Sequence, residues 1–241
     1  MLSGIYSAAS GLLVAEANQE IVANNLAHLN VPGFRKGMLS VETFENVLSE
    51  TGSAPQGHGS VVTNVVWDFS PGPVVQTGRN LDVTIDGDGF FVVQGNDGPL
   101  YTRNGVFQVG AEGQLSTSDG RAVLGKNGPI RIPNGAVQGQ IHIATDGAVV
   151  VNGTTIGQLQ LVRFEDNALL SRVSSTLFAA PSEAIIEEDG VRVRSGAREQ
   201  SNVTAVDELV QMIVSLRRLV VAHRALKAID SALQQTTNPG G

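Results

Sequence analysis

The residues whose types could do chemistry are scattered. His28, His58, His142 and His223 have no ligand-like spacing among themselves, whereas a metal site draws its imidazoles and carboxylates from closely spaced pairs, so no metal is expected. Asp82, Asp86 and Asp88 begin like a calcium loop. The fifth and sixth loop places are then Phe90 and Phe91, where an oxygen ligand and a glycine are required, so the run is expected to be a hairpin turn. Gly87-Asp88-Gly89 lacks the third glycine of a dinucleotide fingerprint and is followed by no helical pattern. No nucleophile elbow, phosphate loop or paired-carboxylate arrangement appears, so the chain is expected to have no catalytic residue and no cofactor, and not to be an enzyme. Asn152-Gly153-Thr154 and Asn202-Val203-Thr204 match glycosylation sequons and are read as a turn and a helix start. Zero cysteines remove disulfides and thiolate sites.

Composition narrows the class further. The chain has 241 residues, enough for one large domain or two small ones. A net charge of -7 argues against a nucleic-acid partner, whose phosphates select a basic surface. No run of about eighteen apolar residues exists, so no membrane insertion is expected. The first basic residue is Arg35, which leaves the N-terminus without the charged start of a cleaved secretory signal.

The elements that must position any site have two textures. In the first thirty residues Ile5, Ala8, Leu12, Ala15, Gln19, Val22, Leu26 and Leu29 alternate spacings of three and four, the seam of a coiled coil. Ala and Gln weaken that seam, because burying Ala removes little apolar area. The last forty residues carry a stronger stripe: Val206, Leu209, Ile213, Leu216, Leu219, Ala222, Leu226, Ile229 and Leu233. Two consecutive steps of three after Leu216 resemble a stammer. Ser201 or Asn202 is expected to cap this helix, and Asp207 and Glu208 suit its positive end. Up to Phe34 the only charges are Glu16 and Glu20, while Arg217, Arg218, Arg224 and Lys227 make the second half of the C-terminal helix positive.

Between the helices, short alternating runs such as LDVTIDG, GFFVVQG and QIHIATDG end repeatedly in Asp-Gly or Asn-Gly, the strongest local hairpin signal. The expected architecture is a mainly β central domain plus N- and C-terminal α-helices that pair as a coiled coil on assembly. Its parts are an N-terminal helix over 1–30, an extended arm over 31–75, an all-β domain over 76–200 and a C-terminal helix over 201–241. Valines at 61, 62, 65 and 66 with Trp67 can supply one or two strands to the arm.

Ala-Asn-Asn-Leu-Ala at 23–27 with Pro-Gly-Phe-Arg at 32–35 resembles the N-terminal signature of bacterial flagellar rod and hook proteins. Asn80-Leu81-Asp82-Val83, Gly87-Asp88-Gly89-Phe90-Phe91 and Tyr101-Thr102-Arg103-Asn104-Gly105 resemble the central β-domain of that family. Ser201-Asn202-Val203 resembles its C-terminal signature. Length, the absence of a large insertion and Ser215-x-Arg217-Arg218 look more like the proximal type of rod protein than the distal one. The distal type usually shows Gln-Arg-Ala-Tyr where this chain has Leu216-Arg217-Arg218-Leu219, and the aromatic common to both types is missing.

The resemblance implies an axial structural protein without cofactor, exported unfolded through the flagellar type III apparatus and polymerised in the periplasm into the rod of the basal body. Its partners would be itself and other rod or hook subunits. The assembly interface would draw on Ile5, Leu12, Val22, Asn24, Asn25, Leu26, Pro32, Gly33, Phe34, Asn202, Leu209, Ile213, Leu216, Arg217, Arg218, Leu226, Ile229 and Leu233. Asn24 and Asn25 can fix register beside the seam. Val31-Pro32 would stop the helix, Gly33 would turn the chain and Phe34 would be a knob for a neighbouring subunit, unless it tucks into its own domain. Other readings are a distal rod or hook-type subunit, or a monomeric β-rich binding protein.

Overall fold

A computed structural model describes residues 2–43, 60–110, 112–133, 138–181, 184–187 and 191–237. His58 lies outside the described residues, and so do the side chains of Ile5 and Leu233. The fold is mainly β with one N-terminal and one C-terminal helix, as expected. Two compact units divide the chain: Met1–Ala27, Gly37–Asp68 and Thr204–Gly241 form one, His28–Lys36 and Phe69–Val203 the other.

The first unit holds helix α1 (Leu2–Ala27), strands β1 (Gly37–Thr43) and β2 (Ser60–Trp67), and helix α2 (Ala205–Thr237). β1 and β2 are antiparallel, with Gly37 opposite Trp67 and a register shift between Ser40 and Val41. Gly37 is obligatory here: an added Cβ would meet the Trp67 ring at 2.7 Å. The helices run antiparallel, since Ala15 meets Ser215 and Asn25 meets Glu208. Helix α1 ends at Ala27, four residues before the Val31-Pro32 stop expected from the sequence, because the chain leaves through a turn in which the Val31 N–H donates to the His28 carbonyl. Leu29 therefore lies beyond the helix.

The second unit is built on a six-stranded antiparallel sheet. In spatial order its strands are Ser171–Arg172, Leu177–Ala179, Pro99–Thr102, Phe90–Gln94, Leu161–Phe164 and Ile185–Glu187. Smaller ribbons pack with it around one apolar core containing Leu81, Val83, Phe91, Phe107, Ile141 and Leu159. Asn152-Gly153 closes the hairpin between Ala148–Val151 and Thr154–Gln158 with φ of 51° and 80°, as a tight primed turn demands. The acidic run at 82–88 behaves differently. It is a turn between strands of separate sheets and not a hairpin, because Val83–Asp86 pairs with Arg192–Ser195 while Phe90–Gln94 pairs with Pro99–Thr102.

Candidate assembly site

In the first unit the decisive side chain is Asn25, which is buried on α1. Its Oδ1 accepts from the Gly37 N–H at 2.9 Å and its Nδ2 donates to the Gly37 carbonyl at 2.9 Å, so the amide pairs with β1 as a strand residue would. The same Nδ2 donates to Glu208 Oε2 at 3.1 Å. One residue thus ties α1, β1 and α2 together. Asn25→Ala leaves a buried N–H, a carbonyl and a carboxylate short of partners, so a loss of about 2–3 kcal/mol is expected. The fluorescence of Trp67, the chain's single tryptophan, reports this unit during urea unfolding.

Glu208 and Ser215 hold seam positions on α2, and the Ser215 hydroxyl donates to the Ala15 carbonyl at 3.0 Å. The seam continues at steps of three and four through half-buried Leu219, Ala222, Leu226 and Ile229. On α1 it uses Ala15 and Val22, both buried, with Leu12 and Leu26 half-buried beside them. The stripe read from the sequence is thereby corrected. Leu209, Ile213 and Leu216 are 47%, 52% and 46% exposed and face away from the seam, as do Val206 and Val220. The apparent stammer is a splice of two faces, an outward one up to Leu216 and an inward one from Leu219. Polar Glu208 and Ser215 take the inward places because each finds a hydrogen-bonding partner there. Arg217, Arg218 and Asn24 are exposed.

The second unit encloses the segment after α1. Gly33 has φ +69°, and an added Cβ would stand 2.3 Å from the Asn104 nitrogen. Phe34 has no exposed surface; its ring stacks on His28 at 4.8 Å, with the Arg172 guanidinium 4.5 Å from its centre. The expectation of a knob for a neighbour is corrected, since a fully enclosed ring offers no surface. Arg35 is also fully buried. Its guanidinium donates to Glu199 Oε1 at 2.7 Å and to the Ser70 carbonyl at 3.1 Å. Glu199 Oε1 also accepts from the Gly72 N–H at 2.8 Å, and Oε2 lies 3.5 Å from Arg103. Burial pushes the Arg103 guanidinium down to about 10, Glu199 opposing the fall and Arg35 adding to it.

Asn202 belongs to the same region. Its Oδ1 accepts from the Lys36 N–H and its Nδ2 donates to the Ser70 carbonyl. It does not cap α2. The helix begins at Ala205, and the Ser201 hydroxyl accepts from the Val203 N–H before it. Glu199, Arg103 and Glu208 were missed as site residues in the sequence. A signal existed for Glu199, which shares a strand face with buried Ala197 at the period of two.

Three family models match the chain. A flagella basal body rod protein model covers residues 5–35, a flagellar hook protein FlgE/F/G D1 domain covers 84–151, and a flagellar basal body rod FlgEFG C-terminal model covers 194–238. The chain is 31% identical to the flagellar basal-body rod protein FlgG of Borreliella burgdorferi, with 99% of this chain and 98% of the relative aligned. It belongs to the flagellar basal-body rod protein family. Similarity to FlgG of Bacillus subtilis is 33% over 99% of both chains, and to FlgF of Salmonella typhimurium 33% over 94% and 93%. A member of the rod family is a structural protein of the flagellar basal body and not an enzyme. Each of the family's three matched regions contributes one member of the buried cluster: Arg35, Arg103 and Glu199.

Proposed function

We propose that this rod-family chain polymerises through its terminal helices, which work as a coiled coil in the assembled shaft and transmit torque along it. The observation that carries this reading is the row of exposed apolar residues on α2, Val206, Leu209, Ile213, Leu216 and Val220, in a protein whose other large apolar side chains mostly enter a core. Large exposed apolar stripes mark interaction surfaces. The arm over 31–75, with β1 and β2 in it, would run between neighbouring subunits, and the parts over 1–30, 76–200 and 201–241 would be inner-tube helix, outer β-domain and inner-tube helix. Ser215-x-Arg217-Arg218 and the lack of a large insertion favour the proximal rod. Export through the type III apparatus and assembly in the periplasm fit a chain in which no described helix is long and apolar enough to cross a membrane.

Leu216→Asp tests the reading. Because Leu216 is exposed and outside the in-chain seam, the purified variant should unfold within about 0.5 kcal/mol of the parent. In cells carrying it as the sole copy, the subunit should be absent from isolated basal bodies and motility lost. Normal incorporation would remove the helices from the assembly interface.

A further inference from the structure

The two-helix pair is inside out. Its seam buries Asn25, Glu208 and Ser215, with Gln19 half-buried, among few large apolar groups, while the better hydrophobic heptad row of α2 faces outward. The outward row of α1 has the same spacing, at Leu13, Glu16, Glu20, Ala23 and Ala27, all exposed. The two outward rows are complementary. That of α1 is small and acidic, with no cation anywhere on the helix; that of α2 is apolar, with Arg217 beside it and Arg224 and Lys227 beyond it. Among the described residues, Glu16, Glu20, Arg217, Arg224 and Lys227 form no ion pair within the chain.

We infer that the outward face of α2 docks on the outward face of α1 of a second copy, head to tail, with Glu16 of one chain meeting Arg217 of the next. This deepens the proposed polymerisation and rests on it. Alternatives of the same geometry are poorer. Pairing α2 with α2 sets Arg217 and Arg224 against their own copies, and pairing α1 with α1 opposes glutamates over little apolar area. Level also matches. Ala15 contacts Ser215 across the antiparallel pair, so Glu16 and Arg217 stand about three residues, or ~4.5 Å, apart along the axis. A neighbour placed alongside with little axial shift brings the two within reach. Because each contact uses two different faces, every added copy presents a free α2 face for the next.

The chain has no cysteine, so introduced ones are unique. Glu16→Cys and Arg217→Cys are made in separate full-length chains, mixed at polymerising concentration and oxidised. The mixed disulfide dimer should dominate over both homodimers. In parallel, E16R should weaken self-association, followed by sedimentation, about tenfold, and adding R217E to the same chain should restore it. Homodimers in excess, or charge reversal without effect, would overturn the head-to-tail contact. Polymers that form without any 16-to-217 linkage would overturn it while leaving polymerisation intact. A parent chain that never self-associates would overturn both.

Discussion

Glu199→Leu is expected to lower the stability of the β unit by about 3–5 kcal/mol, the cost of stranding buried charge, because it leaves two buried guanidiniums facing each other without a counter-ion. Arg35 has no exposed surface through which to recover water, and Gly72 loses the acceptor of its N–H. Arg103 would titrate lower still, since the larger of the two carboxylate influences holding its proton is gone and only Asp88 is left to oppose burial and Arg35. Urea unfolding followed by far-UV circular dichroism measures the loss. The paired variant Arg35→Met with Glu199→Leu should recover a large part of it, because an apolar pair of similar volume removes the burial cost of both ions. A loss below about 1 kcal/mol for the single variant would mean that water reaches the cluster.

Gly33→Ala should cost about 2–4 kcal/mol, combining left-handed backbone strain with a clash that side-chain motion cannot relieve. The contacted atom is the backbone nitrogen of Asn104, at 2.3 Å from the added carbon. Gly78 supplies the control: its φ is +71°, nearly that of Gly33, yet nothing lies within 4 Å of the carbon it would gain. Gly78→Ala should therefore lose only the conformational part, about 1 kcal/mol. Equal losses at the two positions would show that residues 28–36 sit loosely against the strand end at Arg103-Asn104.

Much of this architecture is legible in the sequence. Asn152-Gly153 announces its hairpin, since an Asn-Gly pair tolerates the positive φ that the turn requires at both places. Heptad spacing announces both helices. Phase on α2 was not legible, because counting apolar residues selects Leu209, Ile213 and Leu216, whereas the seam goes to Glu208 and Ser215, whose partners Asn25 and Ala15 lie roughly two hundred residues away. The fate of Phe34 was hidden for the same reason. Its enclosure depends on His28 and Arg172, and no local pattern ties Arg172 to a loop near the N-terminus. A buried salt bridge is equally silent: Arg35 reads as a solvated cation until Glu199 is brought beside it.

The ion pair between Arg35 and Glu199 joins residues 164 positions apart. Non-local closures of this kind come late and slow the whole reaction, since the chain must lose the freedom of a very long loop before the contact rewards it. For a chain delivered from its N-terminus, Arg35 has no carboxylate to pair with until residue 199 has emerged. Were the chain delivered in that direction, the Arg35–Glu199 contact of the β unit would close only when the polypeptide is nearly all present, so that this closure would report on the completeness of the chain.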